Sequence, residues 1–254
     1  MMGELMFSDK MKARLMGLAL VGAVFAVPGA ASAGVVVKSS GPSAGDYPVG
    51  RQVADDASIT LRAGDKITVL TDGGTRVMQG PGTFRVGEGA TRTRARFSNL
   101  TRRRAARRVR TGAVRSGATG APARSPNLWF VNVAAAGNVC LYDLAAVRLW
   151  RPEATEAQTY QIRDAGSQGA LDVAFVESEA VRALDPNGLA ITDGGNYTIT
   201  TPASGESAAS SVNVTFVTLG EEFETPDALA QALFDNGCTT QLSLLADTLE
   251  ASAQ

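Results

Sequence analysis

The chain has 254 residues, of which 44% are hydrophobic and 19% charged, and its formal net charge is −1. That apolar share is enough for a packed core and excludes wholesale disorder. Histidine is absent, which excludes the Ser-His-Asp triad, any histidine general base and any histidine-ligated metal centre.

The N-terminus reads as a targeting segment. Lys10, Lys12 and Arg14 precede an uncharged run from Leu15 to Val27, which Pro28-Gly29 breaks ahead of Ala31-Ser32-Ala33. A basic stretch, an apolar stretch and an A-x-A site in that order make a signal peptide over residues 1–33, cleaved after Ala33. The apolar run is shorter than the about 20 residues a membrane-spanning helix needs; the alternative is an uncleaved anchor. Met11 serves as a start as well as Met1. No transmembrane segment is expected in the mature chain from Gly34. Arg outnumbers Lys 20 to 4, a bias of GC-rich bacterial genomes, so the expected destination is the periplasm or the medium. Cys140 and Cys238 agree with export: an even count in an oxidising compartment predicts one disulfide, with two separate buried thiols as the alternative. No C-x-x-C motif is present, which removes the usual signature of thiol redox catalysis and of zinc binding.

From Gly34 to Val86 the sequence predicts short strands and tight turns. Val35-Val36-Val37 open a strand that ends at Ser39-Ser40-Gly41-Pro42. Ser58–Arg62 and Lys66–Thr71 alternate apolar and polar residues, Asp72-Gly73-Gly74 is a hairpin signal, Thr75–Gln79 is the return strand, and Gly80-Pro81-Gly82 turns into Thr83–Val86. The run Leu61-x-x-Gly64-Asp65-x-Ile67, then Asp72-Gly73-Gly74-Thr75, then Gly80-Pro81-Gly82-Thr83-Phe84 resembles the FecR-like periplasmic domain. The resemblance covers about residues 34–90 and implies a small all-β unit. Founding members of that family are membrane-anchored sensors that act through a cytoplasmic arm. This chain has a signal peptide in that place, so the resemblance implies the fold and not the signalling role.

Eleven arginines lie between Arg92 and Arg124, and no acidic residue occurs from Gly89 to Tyr142. Residues 91–127 read as an Arg-rich basic linker. Its densest part holds Arg102, Arg103, Arg104, Arg107, Arg108 and Arg110. Ser98 or Asn99 is the expected cap of a short helix there, and 111–126 reads as a loop.

Residues 128–254 read as an antiparallel β-sandwich with a C-terminal helical hairpin. Strands are predicted from Trp129, over Asn138–Tyr142, Ala146–Trp150, Thr159–Arg163, Ala170–Val176, Asn196–Thr201 and Val212–Leu219, with a second hairpin turn at Asp193-Gly194-Gly195. Trp150-x-Pro152, Tyr160-x-Ile162, Leu189 and Gly195-x-Tyr197 resemble fibronectin-III or Ig-like modules. Thr225-Pro226-Asp227 starts a helix that Asn236-Gly237 stops. A second helix runs from about Gln241, with Cys238 in the turn between them.

Motifs for catalysis fail on their surroundings. Gly41-Pro42-Ser43-Ala44-Gly45 matches the nucleophile elbow, but that motif needs a strand–turn–helix setting and a histidine, so it reads as a surface turn. Gly80-Pro81-Gly82 and Gly87-Glu88-Gly89 lack the third glycine of a dinucleotide fingerprint. No catalytic, cofactor or metal residues are assigned; paired carboxylates stay open, because spacing in three dimensions is not visible in a sequence.

Charge is the remaining signal. Residues 34–124 hold 17 basic and 6 acidic side chains, and residues 125–254 hold 4 basic and 17 acidic. Either the basic segment lies against acidic surface of the C-terminal unit, or it binds an anionic envelope component or an acidic envelope protein, or it is a plain linker. Export disfavours nucleic acid. The expected function is an exported, non-enzymatic binding or scaffolding module without a cofactor. The alternatives are a carboxylate-dependent glycan-active enzyme and a regulator of envelope signalling.

Overall fold

The computed structural model describes residues 33–102, 124–167, 169–185, 187–203, 208–220 and 222–253, and the structural statements that follow concern these. They form a mainly β structure with three α-helices.

The N-terminal strands are β1 (Ala33–Ser40), β2 (Gln52–Ala54), β3 (Ser58–Leu61), β4 (Lys66–Thr71), β5 (Gly74–Gln79) and β6 (Gly82–Arg85). Four make an antiparallel sheet in the order β2-β1-β4-β5, and β3 pairs with β6. The strands predicted by alternation appear within a residue or two of their expected ends; β2, three residues long, left no periodic signal. Thr71 pairs with Gly74 across the Asp72-Gly73 turn. Gly74 has φ +143°, and a Cβ there would stand 2.1 Å from the carbonyl oxygen of Thr91, so only glycine lets residue 91 bridge to Thr75. One face of this sheet packs Val36, Ile67, Val69 and Met78 against Ile59, Leu61 and Val86. Its other face turns Val35, Val37 and Leu70 toward the helices. The unbroken Val35-Val36-Val37 run has this cause: β1 is covered on both sides.

Part of the expected linker is helix. α1 spans Arg94–Thr101, so Ser98 and Asn99 are exposed residues inside it rather than its cap. Phe97 and Leu100, one turn apart, are buried, and their burial sets where the helix forms. Its end is clamped: Trp129 Nε1 donates to the Thr101 carbonyl at 2.7 Å, and Asn127 Nδ2 to the Arg102 carbonyl at 3.0 Å.

The second β region holds β7 (Phe130–Asn132), β8 (Gly137–Leu141), β9 (Arg148–Trp150), β10 (Gln158–Asp164), β11 (Ala170–Phe175), β12 (Val181–Ala183), β13 (Asn196–Thr201) and β14 (Ser210–Thr218). A five-stranded sheet, β11-β10-β13-β14-β8, faces a three-stranded one, β12-β9-β7. Tyr160, Ile162, Phe175, Ile199 and Phe216 from the first meet Val131 and Leu149 from the second. The outer face of the large sheet is polar, with cross-strand hydrogen bonds such as Thr198 to Asn213 at 2.9 Å. Tyr197 Oη donates to the Ala190 carbonyl at 3.0 Å, a corner contact of the kind tyrosines make in Greek-key sandwiches.

Several local expectations change. β8–β14 and β7–β9 are parallel pairs within the otherwise antiparallel sandwich. Leu144–Ala146 is a 3₁₀ turn, because Asp143 caps it by accepting from the Ala145 N–H, and β9 begins only at Arg148. Asp193-Gly194-Gly195 joins no hairpin. It extends the β13–β14 ladder, since Gly194 N–H donates to Phe216 O and Phe216 N–H to Gly195 O.

α2 (Pro226–Asp235) and α3 (Thr239–Glu250) form the expected hairpin, α3 starting two residues before Gln241. Leu229, Leu233, Leu242, Leu245 and Leu249 fill the space between Val35, Val37 and Leu70 on one side and Leu128 and Cys140 on the other. The two β regions therefore share a core through the helices.

Candidate functional site

Among the described residues, four ion pairs meet on α3. Lys38 and Lys66, on neighbouring strands, both reach Glu250, whose side chain is only 8% exposed. Thr68 Oγ1 donates to Glu250 at 3.3 Å. One turn earlier, Asp247 accepts from Lys38 and pairs with Arg124 Nη2 at 3.4 Å. Burial alone would raise the Glu250 carboxyl, but hydrogen bonds from Lys38 and Lys66 overcome it and hold it below its ordinary value. For Lys38, burial works downward, and Asp247 and Glu250 raise it above the ordinary lysine value. Sequence reasoning missed this seam, because its partners are some two hundred positions apart and share no motif.

The cysteines behave as expected. Cys140 on β8 and Cys238 before α3 stand at disulfide distance, with Cα atoms 6.0 Å apart. Beside them Gln241, buried on α3, accepts from Cys140 N–H at 2.7 Å and donates to the carbonyls of Cys140 at 2.7 Å and Leu128 at 3.0 Å. A helical side chain thus satisfies the free edge of β8 in place of a further strand.

The arginine segment is seen only in part. Arg103, Arg104, Arg107, Arg108 and Arg110 lie outside the described residues. Arg102 is exposed and donates to Asn99 Oδ1 at 3.2 Å. Arg92, Arg94 and Arg96 are exposed as well. At the other end of the segment, Arg124 makes the contact to Asp247.

Two further sites hold buried polar groups. Ser43, in the Gly41–Gly45 turn, is buried and its N–H donates to Asp65 Oδ1 at 2.8 Å. Burial would raise the Asp65 carboxyl, but the Ser43 hydroxyl and N–H and the Arg62 N–H hold it low. Asp65 thus fastens two turns. Arg151, 1% exposed, donates to the carbonyls of Glu179, Glu156 and Val176 and lies over the Phe175 ring at 5.1 Å.

A cleft of about 690 Å³ runs along α2 and is lined by Val35, Gln52, Phe223, Asp227, Gln231 and Asp235, among others. Asp227 and Asp235 are eight positions apart on one helix, which sets their Cα atoms about 12 Å apart. Burial first, then Asp72, Asp227 and Asp56, raise the Asp55 carboxyl. Among the described residues no group of three or more acidic or cysteine side chains is placed to hold a metal ion, and no helix is long and apolar enough to cross a membrane.

No protein-family model matches the sequence, no curated protein matches it, and no solved structure matches the fold.

Proposed function

We propose that this chain is an exported, non-enzymatic binding module of the bacterial envelope, built from a FecR-like β unit and a β-sandwich, that engages an anionic envelope component through its arginines. The observation that carries the reading is the division of labour between cations. Lys38, Lys66 and Arg124 pair within the molecule, whereas α1 commits Phe97 and Leu100 to the core and leaves its own Arg94 and Arg96, with the flanking Arg92 and Arg102, in solvent. Guanidinium groups carried on and beside a clamped helix suit phosphate-bearing surfaces, since each can make two parallel hydrogen bonds to an oxyanion.

The test is co-sedimentation of the mature chain with phosphatidylglycerol and with phosphatidylcholine vesicles. Binding to the anionic vesicles alone, weakened by salt and by replacing the four arginines with glutamine, is expected. Equal binding to both vesicles, or to neither, overturns the reading; binding to an acidic envelope protein in place of lipid would relocate the same face to a protein interface.

The second reading, a carboxylate-dependent glycan-active enzyme, draws on Asp55, raised by burial and by its acidic neighbours, among them Asp227 at the α2 cleft. Release of sugars from peptidoglycan that both Asp55→Asn and Asp227→Asn abolish would favour it.

A further inference from the structure

The five-stranded sheet has two edges, and they differ. At β8, Gln241 takes up the Cys140 backbone. At β11 (Ala170–Phe175), the last strand in the order β11-β10-β13-β14-β8, no such cover is present among the described residues. The ladder to β10 runs from the pair Gln158 and Phe175 to the pair Arg163 and Ala170 without a shift. Asp164 N–H donates to the Gly169 carbonyl at 3.0 Å, so in this antiparallel register Leu171, Val173 and Phe175 also turn their N–H and C=O groups toward β10. On the other side of β10, Ala165 N–H donates to the Asn196 carbonyl at 2.9 Å, which fixes the same alternation. The backbone groups of Ala170, Asp172 and Ala174 therefore point away from the sheet, and all three residues are exposed.

Sheet edges in native proteins are blunted by lysine, proline or a bulge, because bare N–H and C=O groups template another chain. β11 carries none of these. Its one charged side chain, Asp172, accepts from Gln161 Nε2 at 3.0 Å and is thereby held toward β10. The next residue after the strand, Val176, is 60% exposed, the most exposed of the large hydrophobic side chains among the described residues. The edge stops there: Val176 N–H donates to Glu179 Oε2 at 3.0 Å, and its carbonyl accepts from Arg151 Nη2 at 2.8 Å.

We propose that β11 is a self-association edge: two copies of this chain pair antiparallel through it, and their five-stranded sheets become one continuous sheet. Antiparallel pairing sets outward-pointing residues opposite outward-pointing residues, so a two-fold axis lets the edge serve as its own partner. An axis through Val173 sets Asp172 opposite Ala174 of the second copy, and each such pair exchanges both N–H···O bonds. This register opposes no like charges, and it places Val176 opposite Ala170 of the second copy. An extended peptide from another protein fits less well. Strand addition of that kind takes its specificity from pockets for alternate side chains, and the main cavities lie along α2, along α3 and beside Lys38, with β11 lining none of them. The edge is separate from the arginines around α1 and does not depend on them.

The experiment is sedimentation equilibrium of the mature protein from micromolar to millimolar concentration, with amide hydrogen exchange measured at both ends of that range. A reversible dimer is expected. Where about nine copies in ten are dimeric, the Asp172 and Ala174 amides should exchange about tenfold more slowly. Those of Val173 and Phe175, already bonded to β10, should stay as they were. Ala174→Pro removes only an outward N–H, a change an edge strand tolerates, and the variant should stay folded and monomeric. A chain that is monomeric throughout the range overturns the proposal. So does a dimer in which the Asp172 and Ala174 amides still exchange freely, or one that Ala174→Pro leaves intact. Amides that slow only in periplasmic extract, with the isolated chain monomeric, would assign the edge to another protein's strand and overturn it too. Exchange in the wild type decides the matter even where the proline variant fails to fold.

Discussion

Lys38 Nζ lies 2.9 Å from Oε2 of Glu250, a residue 212 positions away. Lys66 reaches the other oxygen of the same carboxylate. These are the two lysines that follow Lys12 in the sequence, and both are used to hold the last turn of α3 on the N-terminal sheet. The opposed charges of the two halves are thus answered, in part, inside the molecule.

Glu250→Gln should cost about 1–2 kcal/mol at pH 7, less than the about 3–5 kcal/mol of a fully buried pair, because both lysines keep contact with water. The pH dependence has a definite sign. Glu250 is held below its ordinary value of 4.5, so its contribution is complete above that pH and is lost as pH falls through the lowered folded value. Urea unfolding between pH 3 and 7 should show an acid-side loss in the wild type that is smaller in Glu250→Gln. Parallel curves for the two proteins would remove Glu250 from the balance.

Reduction of the Cys140–Cys238 pair should lower stability by about 4–5 kcal/mol in the chain-entropy model, since the bond closes a loop of 98 residues. Urea midpoints with and without reductant, alongside a Cys140→Ala/Cys238→Ala variant, measure it. A midpoint indifferent to reductant would mean that the shared core alone holds the helical hairpin.

Gln241→Leu preserves helix and bulk but leaves Cys140 N–H and the carbonyls of Cys140 and Leu128 without their partner. A loss of about 2–4 kcal/mol is expected, together with faster hydrogen exchange at the Cys140 amide. Unchanged exchange there would show that another group takes over the β8 edge.

Arg151→Lys is not a conservative change. One ammonium cannot span the carbonyls of Glu179, Glu156 and Val176, which a planar fork serves together. A drop of about 2–3 kcal/mol is expected, read as a lowered thermal midpoint, with the loops at 156 and 176–179 cut sooner by protease. An unaltered midpoint would show that the guanidinium geometry is unimportant there.

Export should end in cleavage after Ala33, leaving Gly34 as the first residue by intact-mass measurement of the secreted form. Cleavage there removes only the first residue of β1 (Ala33–Ser40). An intact N-terminus retained in the membrane would identify an anchor instead.

Strands such as β3, β4 and β13 could be read from the chain because a half-buried strand writes its period of two into consecutive residues. Hairpin β4–β5 was legible for the same local reason: glycine permits the backbone that the turn at Asp72-Gly73-Gly74 needs. The cysteine pair was legible by count and compartment. None of these inferences requires knowing what lies across the fold.

Position α1 differs. Its eight residues carry two arginines and only two buried side chains, too few to announce a helix until Phe97 and Leu100 find a core contributed largely by residues beyond 128. The parallel pairing of β8 with β14, the use of Gln241 as a strand edge and the meeting of Lys38, Lys66 and Glu250 likewise depend on partners remote in sequence. Local propensity and periodicity act over a few residues, and the sequence by itself determined those features. Which faces are covered, which charges are paired and which arginines remain in water follows from the burial of the helical hairpin between two β regions, and only the tertiary structure decides that, because burial is a property of the assembled core.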